Sequence, residues 1–263
     1  MLHSNLDVPS VKGFANRVLD APVRFADAVE PLRHWVETDR QAAHERRHEL
    51  GPMAFHVFAA ALLERNVSGS SYLKRIDTFR DELGDPSTLT AEHAEAMLRR
   101  SGYRYPRNGA ATLLKVRDVL QSPGFSWTEF FARAEREWEG DFTADPLFEI
   151  KGIGPKTRNF ALSEFSDYYC APDLHVCRMM ARTGLILHGY GDPSFSTDNP
   201  GFVRKVIVAL AKETGFPNTP GAFSPAFLDR MFWYYGQDRR RCDATPDCKE
   251  CPARDVCLTG KMR

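Results

Sequence analysis

Residues 147 to 162 read Leu147-Phe148-Glu149-Ile150-Lys151-Gly152-Ile153-Gly154-Pro155-Lys156-Thr157-Arg158-Asn159-Phe160-Ala161-Leu162. Gly152 and Gly154 bracket Ile153 in what reads as a tight turn between two helices. Asp145 and Pro146 can start a short first helix. Pro155 suits the first position of the second, where its missing N–H costs nothing. The glycines admit positive φ and let the backbone come close to a ligand. The N–H groups at the start of the second helix then face outward and favour an anion, phosphate above all. Ile153 is expected to pack back between the two helices. A plain helix–turn–helix connection also accounts for Gly-Ile-Gly taken alone.

Lys156 falls in the first turn of the second helix, at its positive end. That field, together with partial burial, is expected to favour the neutral amine. A lysine must lose its proton before it can act as a nucleophile. A phosphate contact is the other role open to it.

Further along come Ala171-Pro172-Asp173-Leu174-His175-Val176-Cys177-Arg178. Pro172 keeps Ala171 extended. Asp173 is then a natural N-cap for a helix from Leu174 to about Thr183, closed by Gly184. Capping alone is a sufficient role for the carboxylate at this point.

Around these segments, apolar residues recur at helical spacing. Phe55, Phe58, Ala59, Leu62 and Leu63 form one face. Tyr72, Ile76, Phe79 and Leu83 form a second; Phe130, Phe131, Ala134 and Trp138 form a third. Ser126 and Glu129 fit a capping box ahead of the third face. Asn199-Pro200 reads as a helix start and Gly215 as its end. Ser224-Pro225 opens another helix, which Gly236 would close. Gly51-Pro52 separates a polar helix from the apolar one that follows. No long polar–apolar alternation marks a strand. The fold class is all-α, with about ten helices and no internal repeat.

The 263 residues carry 43% hydrophobic and 27% charged side chains, as an ordinary globular protein does, which argues against disorder. Met1-Leu2-His3-Ser4-Asn5-Leu6-Asp7 lacks the basic start and apolar core of a signal peptide. No run approaches the roughly 18 apolar residues of a membrane span. A cytoplasmic protein with no membrane partner is therefore expected. Thirty-five basic residues balance thirty-five acidic ones. A nucleic-acid binder often carries a positive excess, so the balance counts mildly against DNA. Locally, however, Arg99, Arg100, Arg104 and Arg107 cluster, as do Lys151, Lys156 and Arg158, and Arg239, Arg240 and Arg241.

Four of the six cysteines, Cys242, Cys248, Cys251 and Cys257, crowd the last 22 residues as C-x5-C-x2-C-x5-C. This pattern points to thiolates around one metal centre. Four thiolates hold either tetrahedral zinc or a [4Fe–4S] cluster. Cys170 and Cys177 have no partner at metal spacing and read as buried thiols. His175 and His188 read as structural or phosphate-contacting residues.

Ile150 to Thr157 followed by Pro172 to Arg178 resembles the signature of the endonuclease III superfamily of DNA glycosylases. Lys151 departs from the proline usual there, and Leu174 from a threonine. Ala61-Leu62-Leu63-Glu64-Arg65-Asn66-Val67-Ser68 is similar to the segment whose glutamine fills the gap left by a flipped base; Asn66 takes that place. The cysteine pattern resembles the family's cluster loop, with its first gap one residue shorter. The resemblance covers roughly residues 50 to 257 and is concentrated in 147 to 185 and 229 to 257.

That resemblance implies a two-lobed helix-hairpin-helix fold. A six-helix barrel would span 50–166, and a second lobe would combine 1–49 with 167–263, carrying a [4Fe–4S] loop at 242–257. The segment 188 to 222 is longer than usual in the family. Lys156 would be the nucleophile and Asp173 the essential carboxylate, facing each other across a cleft. Asn66, Gly152, Ile153, Gly154, Thr157 and His175 would meet DNA. The implied activity is a bifunctional DNA glycosylase and abasic-site lyase of base excision repair, acting as a monomer on double-stranded DNA. Oxidised pyrimidines come first as substrates; uracil-type bases such as 5-hydroxymethyluracil, and 8-oxoguanine, stay open. Tyr103, Tyr105, Phe125 and Trp127 are candidates to stack on a flipped base, or are core. The rival readings are a non-catalytic iron–sulfur DNA-binding sensor and a zinc-stapled helical adaptor.

Overall fold

The computed structural model describes residues 10–25, 27–48, 50, 52–63, 77–79, 81–140, 142, 146–186, 200–237, 242 and 246–262. Eleven helices are delineated among them. They are α1 (Val11–Val18), α2 (Leu32–His48), α3 (Pro52–Leu62), α4 (Ala91–Arg100), α5 (Pro106–Leu120), α6 (Trp127–Arg136), α7 (Pro155–Ser163), α8 (Leu174–Thr183), α9 (Pro200–Thr214), α10 (Pro225–Gln237) and α11 (Leu258–Met262). Short 3-10 turns cover Pro86–Thr88 and Pro146–Glu149. The expected all-α class holds. No helix among the described residues is long and apolar enough to cross a membrane.

The chain divides into two compact units. One is continuous, from Ala42 to Tyr169. The other is split, joining the residues up to Gln41 with those from Cys170 onward.

In the continuous unit, α3 is apolar apart from His56, whose Nε2 lies 2.9 Å from the Gly84 carbonyl, and is buried from Ala54 through Leu62, as a central helix must be. It packs against α7 and α5. Ser126 caps α6 by accepting from the Glu129 N–H at 3.3 Å. α6 then buries Phe130, Phe131 and Ala134. Phe58, Phe125, Trp127, Phe130, Phe131 and Phe165 form one aromatic cluster, with Trp127 stacked on Phe131 at 5.7 Å. Phe125 and Trp127 are thus engaged in packing. Phe79 and Leu83 of the second apolar face are buried; Tyr72 and Ile76 lie outside the described residues.

The split unit centres on α8 and α10, which pack against each other, flanked by α1, α9 and α11. Its core includes Phe14, Val18, Leu32, Val176, Met180, Ile207, Met231 and Phe232. Asp173 caps α8 and Gly184 closes it in the left-handed conformation, φ 87°, as the sequence indicates. Pro200 and Gly215 bound α9 likewise, Gly215 at φ 100°. α10 differs from expectation: it passes through Gly236 to Gln237. Gly236 serves close approach, because a Cβ there would lie 2.7 Å from Met179 Cγ and 3.1 Å from the His175 carbonyl.

A second difference is a two-stranded antiparallel hairpin, β1 (Pro22–Phe25) and β2 (Ala28–Pro31), with Val23 opposite Glu30. Only Val23 of these eight residues is buried. With one inward side chain the period-2 signal of a strand does not develop.

Candidate active site

The hairpin of the continuous unit forms as its sequence dictates, with one refinement. Ile153 N–H donates to the Ile150 carbonyl at 3.0 Å, and Gly152 takes φ 104°. Gly154 is extended, φ −90°, so only one of the two glycines uses the left-handed region. At Gly154 a Cβ would meet nothing within 4 Å. Neither conformation nor internal packing demands glycine there, and the approach from outside is open.

Pro155 starts α7. Thr157 locks the turn: its hydroxyl accepts from Gly154 N–H at 3.1 Å and donates to the Gly154 carbonyl at 3.0 Å. Thr157 and Ile153 are buried, whereas Lys151, Gly152 and Lys156 are exposed. Lys156 is therefore not partly buried, against the expectation from its sequence position. Arg158 departs from its basic neighbours, being buried with its guanidinium over the Phe148 ring at 5.2 Å. Arg99 and Arg100 are paired with Glu95 and Glu82. Asn66, His188 and Arg239 to Arg241 lie outside the described residues.

Beside the hairpin is a cavity of about 310 Å³ whose lining includes Leu63, Tyr103, Tyr105, Asn108, Lys115 and Lys151. It separates the four candidate stacking aromatics: Tyr103 and Tyr105 line it, while Phe125 and Trp127 are packed elsewhere. Asn108, Thr112 and Lys115 were not singled out from the sequence. Their signal is a polar i, i+4, i+7 row along α5, facing this cavity.

In the split unit Asp173 uses both carboxylate oxygens. Oδ1 accepts from the His175 and Val176 N–H groups at 2.8 and 3.1 Å. Oδ2 accepts from the Trp233 indole at 3.1 Å. Sequence reasoning missed Trp233, which lies 60 residues away along the chain. His175 is half-buried: its Nδ1 lies 3.3 Å from the Gly236 carbonyl and 3.0 Å from Arg178 Nη2, which itself donates to that carbonyl at 2.8 Å. This places His175 within the α8–α10 packing. Lys156 belongs to the continuous unit and Asp173 to the split one.

The split unit also gathers Cys242, Cys248, Cys251 and Cys257 around one small cavity, with Phe14, Met179, Arg182 and Tyr235 among its other walls. All four are free thiols. Arg182 donates to the Cys242 sulfur at 3.4 Å and to its carbonyl at 2.9 Å. The Tyr235 hydroxyl lies 3.1 Å from Cys251 Sγ, and Cys257 donates to the Arg182 carbonyl at 3.2 Å. Burial pushes the Cys257 thiol up to about 11 and raises that of Cys242. Among the described residues, no three His, Cys, Asp or Glu side chains already converge as a metal-binding group. Cys170 and Cys177 are both buried, as expected.

No family model matches the chain, and no curated protein does. Solved structures do. The 8-oxoguanine DNA glycosylase of Thermotoga maritima is 22% identical, with 77% of this chain and 88% of that one covered and a TM-score of 0.50. A trapped endonuclease III–DNA covalent intermediate is 20% identical, with 88% and 97% covered and a TM-score of 0.51. The Methanocaldococcus jannaschii 8-oxoguanine glycosylase/lyase, in complex with DNA containing 8-oxoguanine, is 18% identical, with 77% and 89% covered and a TM-score of 0.50. The chain has the helix-hairpin-helix fold shared by these DNA glycosylases.

Proposed function

We propose that this protein is a DNA glycosylase and abasic-site lyase that removes an oxidised base from double-stranded DNA. The observation that carries the reading is the hairpin: an open glycine, a helix N-terminus and an exposed lysine in one turn. A helix N-terminus faces a clear approach there, and Lys156 stands beside it. Gly152, Gly154 and Lys151 meet the DNA backbone; Ile153 and Thr157 act from beneath, by shaping the turn. His175 and Asn66 remain proposed contacts from the resemblance.

The target nucleotide leaves the stack to expose its sugar. The Lys156 amine, once deprotonated, attacks C1′. The N-glycosidic bond breaks, and its electrons leave with the base, which takes up a proton. The Asp173 carboxylate stabilises positive charge growing on the sugar and receives the proton of Lys156. Ring opening gives a Schiff base between Lys156 and C1′. Loss of a C2′ proton then expels the 3′ phosphate, and water releases the lysine.

Oxidised pyrimidines are the first substrates to test on the sequence resemblance. 8-Oxoguanine follows on the activities of the structural neighbours, and 5-hydroxymethyluracil completes the panel. Duplexes each carrying one lesion are incised by the wild-type protein, and borohydride traps a covalent protein–DNA adduct. Lys156→Gln abolishes the adduct; an adduct formed equally well by that variant removes Lys156 from the reaction.

The four cysteines fit a [4Fe–4S] cluster by donor chemistry and by their shared cavity, with the Arg182 guanidinium beside Cys242 to offset thiolate charge. Cys242, Cys248, Cys251 and Cys257 would hold it. Its contribution when bound is structural, tying α8, α10 and the C-terminal turns together. Purified protein then carries iron, inorganic sulfide and broad visible absorbance, all lost in Cys248→Ser. Stoichiometric zinc without iron would instead support the zinc reading.

A further inference from the structure

We propose that Trp233 is a positioning residue for the Asp173 carboxylate, and that the β1–β2 hairpin holds it in that role. The inference rests on the reading of Asp173 given above and deepens it. Two backbone N–H groups pin Oδ1, but they leave the carboxylate plane free to twist about that anchor. The Trp233 indole N–H, 3.1 Å from Oδ2, removes that freedom. A fixed anion stabilises a developing cation better than one that must reorient during the reaction.

The indole is itself braced. Tyr234 meets it edge-on at 4.9 Å and Phe25 at 5.8 Å. Phe25 ends β1 and packs on Trp35 at 5.4 Å. Trp35 donates to the Val23 carbonyl at 3.1 Å, tying α2 back to the same strand. A chain of contacts thus runs from the hairpin through Phe25 to Trp233 and on to Asp173 Oδ2. The hairpin exposes nearly all its residues and buries only Val23, so core formation alone gives it little to do. Bracing the indole supplies it with a role.

The test compares full-length holoprotein carrying tryptophan, phenylalanine or benzothienylalanine at position 233. Benzothienylalanine keeps the ring shape and puts sulfur in place of the N–H, so it decides the matter should Trp233→Phe fold poorly. Single-turnover excision is measured at saturating enzyme on a lesion duplex. Borohydride trapping is measured on a preformed abasic duplex, which has no glycosidic bond left to break. The expected result is excision slowed about ten- to a hundredfold in the variants, the range for a hydrogen bond to a charged group. Lesion-duplex affinity and thermal midpoint stay near wild type, and abasic trapping falls less than excision does. Excision at the wild-type rate overturns the proposal. So does a parallel loss of excision and duplex affinity with a lowered thermal midpoint, which marks a merely structural tryptophan. Asp173→Asn separates the two layers of inference. If that variant excises normally, the reading of Asp173 fails and takes this one with it. If it is inactive while the benzothienylalanine protein excises normally, only the positioning role falls.

Discussion

At Asp173 the two carboxylate oxygens face different neighbours, helix N–H groups on Oδ1 and an indole on Oδ2. Asparagine caps a helix about as well as aspartate, whereas alanine costs about 1 kcal/mol. Asp173→Asn keeps the cap but turns an amide NH2 toward the Trp233 indole N–H, so most of the thermal midpoint is expected to survive while excision is abolished. Asp173→Ala loses both, which calorimetry beside an incision assay will show. The hairpin glycines make a second contrast. At Gly152, φ 104° puts an L side chain in a strained region, so Gly152→Ala destabilises by about 1–2 kcal/mol. At Gly154 alanine meets nothing within the chain. Gly154→Ala is expected to unfold normally yet bind duplex DNA more weakly, because the added methyl stands where a phosphate approaches; unchanged affinity would remove that contact. The places of Lys156 and Asp173 at helix starts were legible in the sequence because a helix start is a local event, announced by Gly-Pro and by Pro-Asp. Trp233 was not. Its meaning depends on a residue 60 positions away, and an aromatic run such as Phe232-Trp233-Tyr234-Tyr235 reads as core.

Among the elements, helices announced by caps and spacing formed where the sequence put them, and α8 did so from cap to closing glycine. Gly236 shows where local grammar fails. A glycine near a helix end reads as a stop, yet here α10 continues past it because α8 lies too close for any side chain. Two effects compete in Gly236→Ala. Helix propensity favours alanine by about 1 kcal/mol. Overpacking against Met179 and the His175 backbone costs about 1–3 kcal/mol. The backbone carbonyl at 3.1 Å cannot swing aside as the methionine can. A net loss of stability is expected, read as a lower denaturation midpoint; a gain would mean that the two helices separate freely. The β1–β2 hairpin escaped the sequence reading for a different reason. Four-residue strands with one inward side chain carry no usable periodicity.

For the molecule as a whole, balanced charge moves the electrostatic argument from net charge to particular groups, and one buried thiol carries a pH signature. Cys170 is fully buried, and that burial raises its pKa well above the ordinary 9.0, with the Asp229 charge adding to the effect. The folded state thus holds its proton more tightly than the unfolded chain does. The resulting stability is fully present below about pH 9 and declines as pH rises beyond it, where only the unfolded thiol ionises. Cys170→Ala is expected to flatten that alkaline decline in urea titrations. An unchanged alkaline slope would assign the decline to other groups.

The split in the chain bears on how the protein is made. Residues 42 to 169 leave the ribosome as one uninterrupted stretch and can condense at once. Phe14, Val18 and Leu32, synthesised before them, belong to a core completed by Met231 and Phe232. During translation those early apolar side chains precede the partners that will cover them. The cysteine cavity keeps the same timetable: begun at Phe14, it does not close until Cys257 and Gly260 have emerged. The proposed cluster could then enter only after Cys257 has left the ribosome.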